Sequence, residues 1–81
     1  MNNLIKKIIF NHKVKKFKYL IWYNTDSEKD DIDKYVMELF TYFPDDKISA
    51  LQIYLYNCCK SHDIEEAFSK TVREMHKCKF I

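Results

Sequence analysis

The sequence predicts a small α+β domain in which a basic N-terminal strand or β-hairpin packs on three α-helices. Residues 17–23 combine aromatic and branched side chains and are followed by Asn24 and Asp26, which is typical of a β-strand and its turn. Three later segments place apolar residues at the spacing of amphipathic helices. A chain of 81 residues has room for one core, so we predict a single domain, 1–81, with the strand or hairpin at 1–24 and helices at 26–43, 45–60 and 64–78.

Residues 4–10 fit two different elements. Their leucine and isoleucine side chains suit a short helix, but the isoleucine content favours a strand that pairs with residues 17–23 through a His12-Lys13 turn. Side chains alternate between the two faces of such a hairpin. Its outer face would carry Lys7, Lys16, Lys18 and Trp22, and its inner face would carry Ile8, Phe17, Tyr19 and Ile21.

The first predicted helix has a start signal, an apolar stripe and a stop signal. The sequence Thr25-Asp26-Ser27-Glu28 has the form of a capping box. Pro44 cannot continue a helix and ends the segment. Between these signals, one face carries Ile32, Tyr35, Val36, Leu39, Phe40 and Phe43.

Carboxylates mark the starts of the other two helices, where they meet the positive end of the helix dipole. Asp45 and Asp46 precede the second helix, and Asp63 with Glu66 repeats a capping signal before the third. We also consider a short edge strand at 79–81. The predicted core consists of Phe17, Tyr19, Ile21, Val36, Leu39, Phe40, Phe43, Leu51, Leu55, Phe68, Val72 and Met75.

Charge is segregated along the chain although its net value is only +2. Residues 1–23 contain six lysines and no acid, whereas residues 24–46 contain eight acids and two lysines. The first block therefore carries +6 and the second −6, and such asymmetry is a signal for a charged partner.

Composition excludes several classes of function. The chain has no glycine, and the usual phosphate-binding loops, dinucleotide-binding turns and nucleophile elbows require it. The potential metal ligands do not converge, because adjacent cysteines and the pair two residues apart diverge on a helix. These ligands are Cys58, Cys59, His62, His76 and Cys78. We therefore predict no catalytic residues, no metal and no cofactor.

The three cysteines, two of them adjacent, argue against a disulfide framework and for a reducing cytoplasm. No signal peptide and no long apolar run are visible, and no helix with a broad exposed apolar face is expected, so no membrane partner is predicted. The richness in lysine, isoleucine, asparagine and tyrosine is typical of AT-rich genomes and suits a small regulator of phage or virus type.

The favoured function is non-catalytic binding of nucleic acid, RNA in particular, with little sequence preference. Lysine clusters track phosphates, and neighbouring aromatic rings stack on bases. Only one of the fourteen basic residues is an arginine, so bidentate reading of guanine is not expected. The predicted binding residues are Lys6, Lys7, Lys13, Lys15, Lys16, Lys18, Trp22 and Tyr23, with Tyr19 as a further stacking candidate.

The second helix predicts self-association. Ile53, Tyr54 and Tyr56 point away from its core stripe, and a helix that is apolar on most sides is central or covered by another subunit. A homodimer would cover this surface. The alternative function is a protein-binding inhibitor or adaptor that uses the acidic first helix or the apolar second helix.

Overall fold

The computed structural model describes the backbone of residues 2–79 and the side chains of residues 3–78. It consists of four α-helices: α1 (Asn2–Thr25), α2 (Lys29–Tyr42), α3 (Lys47–Ser61) and α4 (Ile64–Lys79). Residues 2–79 contain no β-strand, so the predicted α+β class is wrong and this part of the chain is all-α. Of the edge strand considered at 79–81, residue 79 ends α4 and the other two residues lie outside the described part.

A single helix, α1, replaces the predicted hairpin. It is about 36 Å long, since each helical residue adds about 1.5 Å. Neither glycine nor proline interrupts residues 1–43, and a helix pairs its own backbone groups, which an isolated two-stranded hairpin does only partly. The inward side of α1 is a stripe of period three to four that packs against the core and comprises Phe10, Val14, Phe17 and Ile21.

The predicted capping box at Thr25 does not form. Thr25 is the last residue of α1, and its Oγ1 donates to the carbonyl oxygen of Ile21 (2.7 Å) instead of capping α2. Asp26 then takes a left-handed conformation (φ 57°), in which its N–H donates to the carbonyl oxygen of Trp22 (3.3 Å). This turn ends α1, and α2 begins three residues later with Glu28 at its N-cap.

The connection between α3 and α4 carries the cap that the sequence predicts. Oδ1 of Asp63 accepts hydrogen bonds from the N–H groups of Glu65 (2.9 Å) and Glu66 (3.2 Å). Just before it, His62 ends α3 in a left-handed conformation (φ 61°). Its Nδ1 lies 2.9 Å from the carbonyl oxygen of Asn24, which can only accept, so Nδ1–H is the donor. This bond ties the end of α1 to the α3–α4 corner.

The core lies where α3 packs between α1 and α4, and α2 contacts all three. Six predicted core residues are buried and five are half-buried against them, but Tyr19 is exposed, so its assignment to the core is wrong. Ile8 is exposed as well and does not face the other helices. The buried apolar side chains are Ile21, Ile32, Val36, Leu39, Phe43, Ala50, Leu51, Tyr54, Cys58, Ile64, Ala67 and Met75.

Polar groups inside the core are joined between α3 and α4. The hydroxyl of Tyr54 donates to the carbonyl oxygen of Ile64 (3.1 Å). Nδ2 of Asn57 donates to Oγ1 of Thr71 (3.0 Å) and to Oε1 of Glu74 (2.8 Å). Buried polar groups cost free energy unless they are paired, so these bonds fix how the two helices align.

Candidate nucleic-acid interface

The six lysines of α1 lie on two sides of the helix, because successive residues are about 100° apart around its axis. Lys7, Lys15 and Lys18 lie on the side of Trp22. Lys6, Lys13 and Lys16 lie on the other side. The prediction that Lys7, Lys16 and Lys18 share one sheet face is therefore wrong, since Lys16 points away from the other two.

A groove of about 270 Å³ lies between α1 and α2 on the Trp22 side. Two of its lysines come from α1 and one from α2, and aromatic and apolar side chains line it together with them. The groove is lined by Lys15, Lys18, Tyr19, Trp22, Lys29, Ile32 and Asp33. Three positive charges and one negative charge therefore border one concave surface, which suits an anionic ligand with an apolar part.

Two of the three groove lysines, Lys18 and Lys29, each make a charge contact. Nζ of Lys18 lies 3.0 Å from Oδ1 of Asp33, which joins α1 to α2. Nζ of Lys29 lies 5.2 Å from the centre of the Trp22 ring, within the range of a cation–π contact. Both contacts involve partly exposed groups and are weak, so a phosphate can replace either of them.

Three aromatic rings form a strip along the outer side of α1, and two of them, those of Tyr19 and Trp22, also line the groove. The ring centre of Tyr19 lies 6.0 Å from that of Trp22 and 6.4 Å from that of Tyr23. Tyr19 and Tyr23 are 58% and 70% exposed, and Trp22 is 38% exposed. Surface rings at this density offer flat faces on which bases can stack.

The strip is bounded by negative charge at its far end. Trp22 and Tyr23 meet Asp26, Ser27 and Glu28 in a second, more open depression. Carboxylates repel phosphates, so a nucleic-acid chain would be confined to the lysine side of the strip.

The structure therefore brings together part of the predicted site. Lys15, Lys18, Trp22 and the further candidate Tyr19 line the groove. The other predicted residues do not line it: Lys6, Lys7, Lys13, Lys16 and Tyr23. Lys29 was missed by sequence reasoning because it comes from α2 and reaches the groove only through the turn at Asp26. A helical interpretation of residues 15–22 would have placed Lys15, Lys18 and Trp22 on one side of the helix, since they lie at i, i+3 and i+7.

The predicted self-association residues of α3 do not form one surface. Tyr54 is fully buried in the core of its own chain, and Ile53 is half-buried against that core. Tyr56 alone is exposed, with Nζ of Lys60 lying 5.1 Å from its ring centre. The apolar excess of α3 is thus largely covered within the monomer, because both α1 and α4 pack against it.

The cysteines are free and differ in environment. Cys58 is buried, and this burial raises the pKa of its thiol to about 12, whereas Cys59 and Cys78 are exposed. Within residues 2–79, no group of three or more His, Cys, Asp or Glu side chains is arranged to hold a metal ion. A thiol with a raised pKa is a poor nucleophile, so Cys58 serves the core.

Fold and groove together define a small helical protein with a basic and aromatic surface groove. No protein-family model, curated protein or solved structure matches the chain, so its function has to be inferred from its own residues. None of the helices in the described part of the chain is long and apolar enough to cross a membrane.

Proposed function

We propose that this protein binds single-stranded nucleic acid, RNA in particular, in the groove between α1 and α2, without catalysis. The observation that carries the proposal is the meeting of three lysines and two aromatic rings at one concave surface. Phosphates would replace Asp33 and Trp22 as the partners of Lys18 and Lys29, which releases condensed counterions.

The aromatic strip supports a preference for single strands. Tyr19 and Tyr23 are more than half exposed, and an unpaired base can stack on an exposed ring, whereas the bases of a duplex are already stacked. The groove contains lysine and no arginine, so it lacks the planar fork that reads guanine. Binding should therefore depend strongly on salt and weakly on base sequence.

The compartment belongs to the same proposal. All three cysteines are free in the structure, and three free thiols suit a reducing cytoplasm, in which RNA is abundant.

The rival function is a protein-binding inhibitor or adaptor that uses the exposed carboxylates of α2, among them Asp30 and Asp31. The two functions differ in which charge they need, so charge reversal on α1 separates them.

The test is fluorescence anisotropy with a labelled single-stranded RNA over a salt series. Lys15→Glu should weaken binding by about tenfold or more at low salt, because it reverses a charge in the groove. Lys16→Glu is the matched control, since it makes the same charge change one residue later on the other side of α1. Its effect should be clearly smaller.

Two results would overturn the proposal. Undetectable binding of RNA at low ionic strength would leave the protein-partner function as the better explanation. Equal losses in Lys15→Glu and Lys16→Glu would show that the overall charge of α1 attracts RNA and that the groove does not hold it.

A further inference from the structure

The N-terminal third of α1 carries an apolar patch that the rest of the described chain does not cover. We define the apolar patch as Leu4, Ile5, Ile8 and Ile9, whose side chains are between 49% and 62% exposed. They lie at i, i+1, i+4 and i+5, on the opposite side of the helix from the stripe that packs on the core. Four large aliphatic side chains together on a surface indicate a binding surface.

Lysines flank this patch on both sides. Lys6 and Lys7 are exposed and project to either side of the apolar patch, and Lys13 follows two turns later. The whole of α1 contains no acidic residue. An aliphatic strip between lysines is the arrangement with which interfacial helices meet anionic lipid, where ammonium groups reach the headgroups and aliphatic chains enter the acyl boundary.

We propose that the apolar patch docks α1 on an anionic lipid bilayer, parallel to its surface. The other obvious occupant, a second copy of this chain, would bring two helices together that carry only positive charge. A bilayer with anionic lipid covers the same aliphatic side chains and supplies the opposite charge. The expectation of no membrane partner depends on the absence of an exposed apolar helix face, and α1 presents one.

The molecule's shape allows this contact. Its Cα atoms span 40 × 33 × 17 Å, so it is thin, and α1 lies with one long side free. The remaining faces of the protein would stay in water. None of the four patch residues lines the groove, although they lie on the same side of α1 as Tyr19, which does.

The experiment is flotation with two kinds of vesicle, phosphatidylcholine alone and phosphatidylcholine mixed with phosphatidylglycerol. The full chain should float with the mixed vesicles and not with the neutral ones. The double variant Ile5→Gln/Ile8→Gln should lose at least about tenfold in vesicle binding, because it removes two aliphatic side chains that the bilayer would bury. Met37→Gln/Tyr42→Gln, which changes two exposed apolar residues of α2, is the matched control and should bind like the wild type.

Two further measurements complete the test: light scattering of the lipid-free protein reports its oligomeric state, and fluorescence anisotropy reports its RNA affinity. The Ile5→Gln/Ile8→Gln variant should keep its helical circular dichroism and its RNA affinity, so loss of the vesicle contact is separable from loss of the groove. Failure of the wild type to float with anionic vesicles would overturn the proposal. So would equal flotation of the double variant. A wild-type dimer that the double variant converts to a monomer, without vesicle binding, would assign the patch to a second copy.

Discussion

Nζ of Lys18 and Oδ1 of Asp33 lie 3.0 Å apart, and this ion pair is the direct charge link between α1 and α2 at the edge of the groove. Both side chains are partly exposed, so the pair contributes less than about 1 kcal/mol to stability. Its larger effect is on binding. While Asp33 holds Lys18, the groove presents fewer free positive charges to a polyanion than its composition suggests.

Replacing Asp33 by asparagine should therefore strengthen RNA binding. Asp33→Asn removes the one carboxylate of the groove and frees Lys18, so affinity should rise severalfold at low salt and the gain should shrink as salt is added. Asp31→Asn changes the net charge equally but lies on another side of α2, and it should produce a smaller gain. Anisotropy titrations of both variants measure the difference. If Asp33→Asn binds no better than Asp31→Asn, the groove is not where phosphate is held.

The continuity of α1 can be tested at the position where the sequence suggested a turn. His12 is exposed, so its replacement affects mainly the backbone. His12→Pro should destabilise the protein by about 3 kcal/mol, because proline lacks the N–H that a helix interior uses and clashes with the preceding turn. His12→Ala should be neutral or slightly stabilising. Chemical denaturation followed by circular dichroism measures both, and a proline variant as stable as the alanine variant would support the hairpin.

The three helices α2, α3 and α4 were predictable because apolar side chains recur in each of them at helical spacing. Asp63 caps α4 as its position in the sequence indicates, and Val36 and Leu39 are buried on the expected side of α2. These features are local, so sequence spacing is enough to find them. The failure to predict α1 from the sequence also has a physical cause.

Residues 2–25 are apolar on two opposite sides of the helix, which hides the helical period. Phe17 and Ile21 face the core, while Ile8 and Tyr19 face outward, so apolar residues fall at nearly every spacing. The aromatic and branched side chains of residues 17–23 therefore favoured the prediction of a strand. Of the groove, the α1 lysines could be listed from sequence, but the approach of Lys29 depends on tertiary packing.

Thiol reactivity should distinguish the three cysteines. Cys59 and Cys78 are exposed and should react rapidly with Ellman's reagent in the folded protein, whereas Cys58 should react only on unfolding. Counting the thiols that react before and after denaturant is added checks this. Rapid reaction of all three thiols under native conditions would contradict the packing of α3.

Cys58 also predicts a loss of stability at alkaline pH. Burial raises the pKa of its thiol from 9.0 to about 12, so the folded protein keeps a proton that the unfolded chain releases. The stabilisation is complete below about pH 9 and is lost as the pH rises toward 12. Denaturation across this range should show a weaker pH dependence for Cys58→Ala than for Cys59→Ala. Equal pH dependence in the two variants would mean that Cys58 is not buried.

The most direct test of the proposed groove uses its own fluorophore, since Trp22 is the single tryptophan of the chain. Titration with an unlabelled single-stranded RNA at low salt should quench or shift the Trp22 emission, and the change should saturate at the concentration at which anisotropy reports binding. Raising the salt should reverse both signals together. RNA binding that leaves the Trp22 emission unchanged, or no binding at all, would contradict the account.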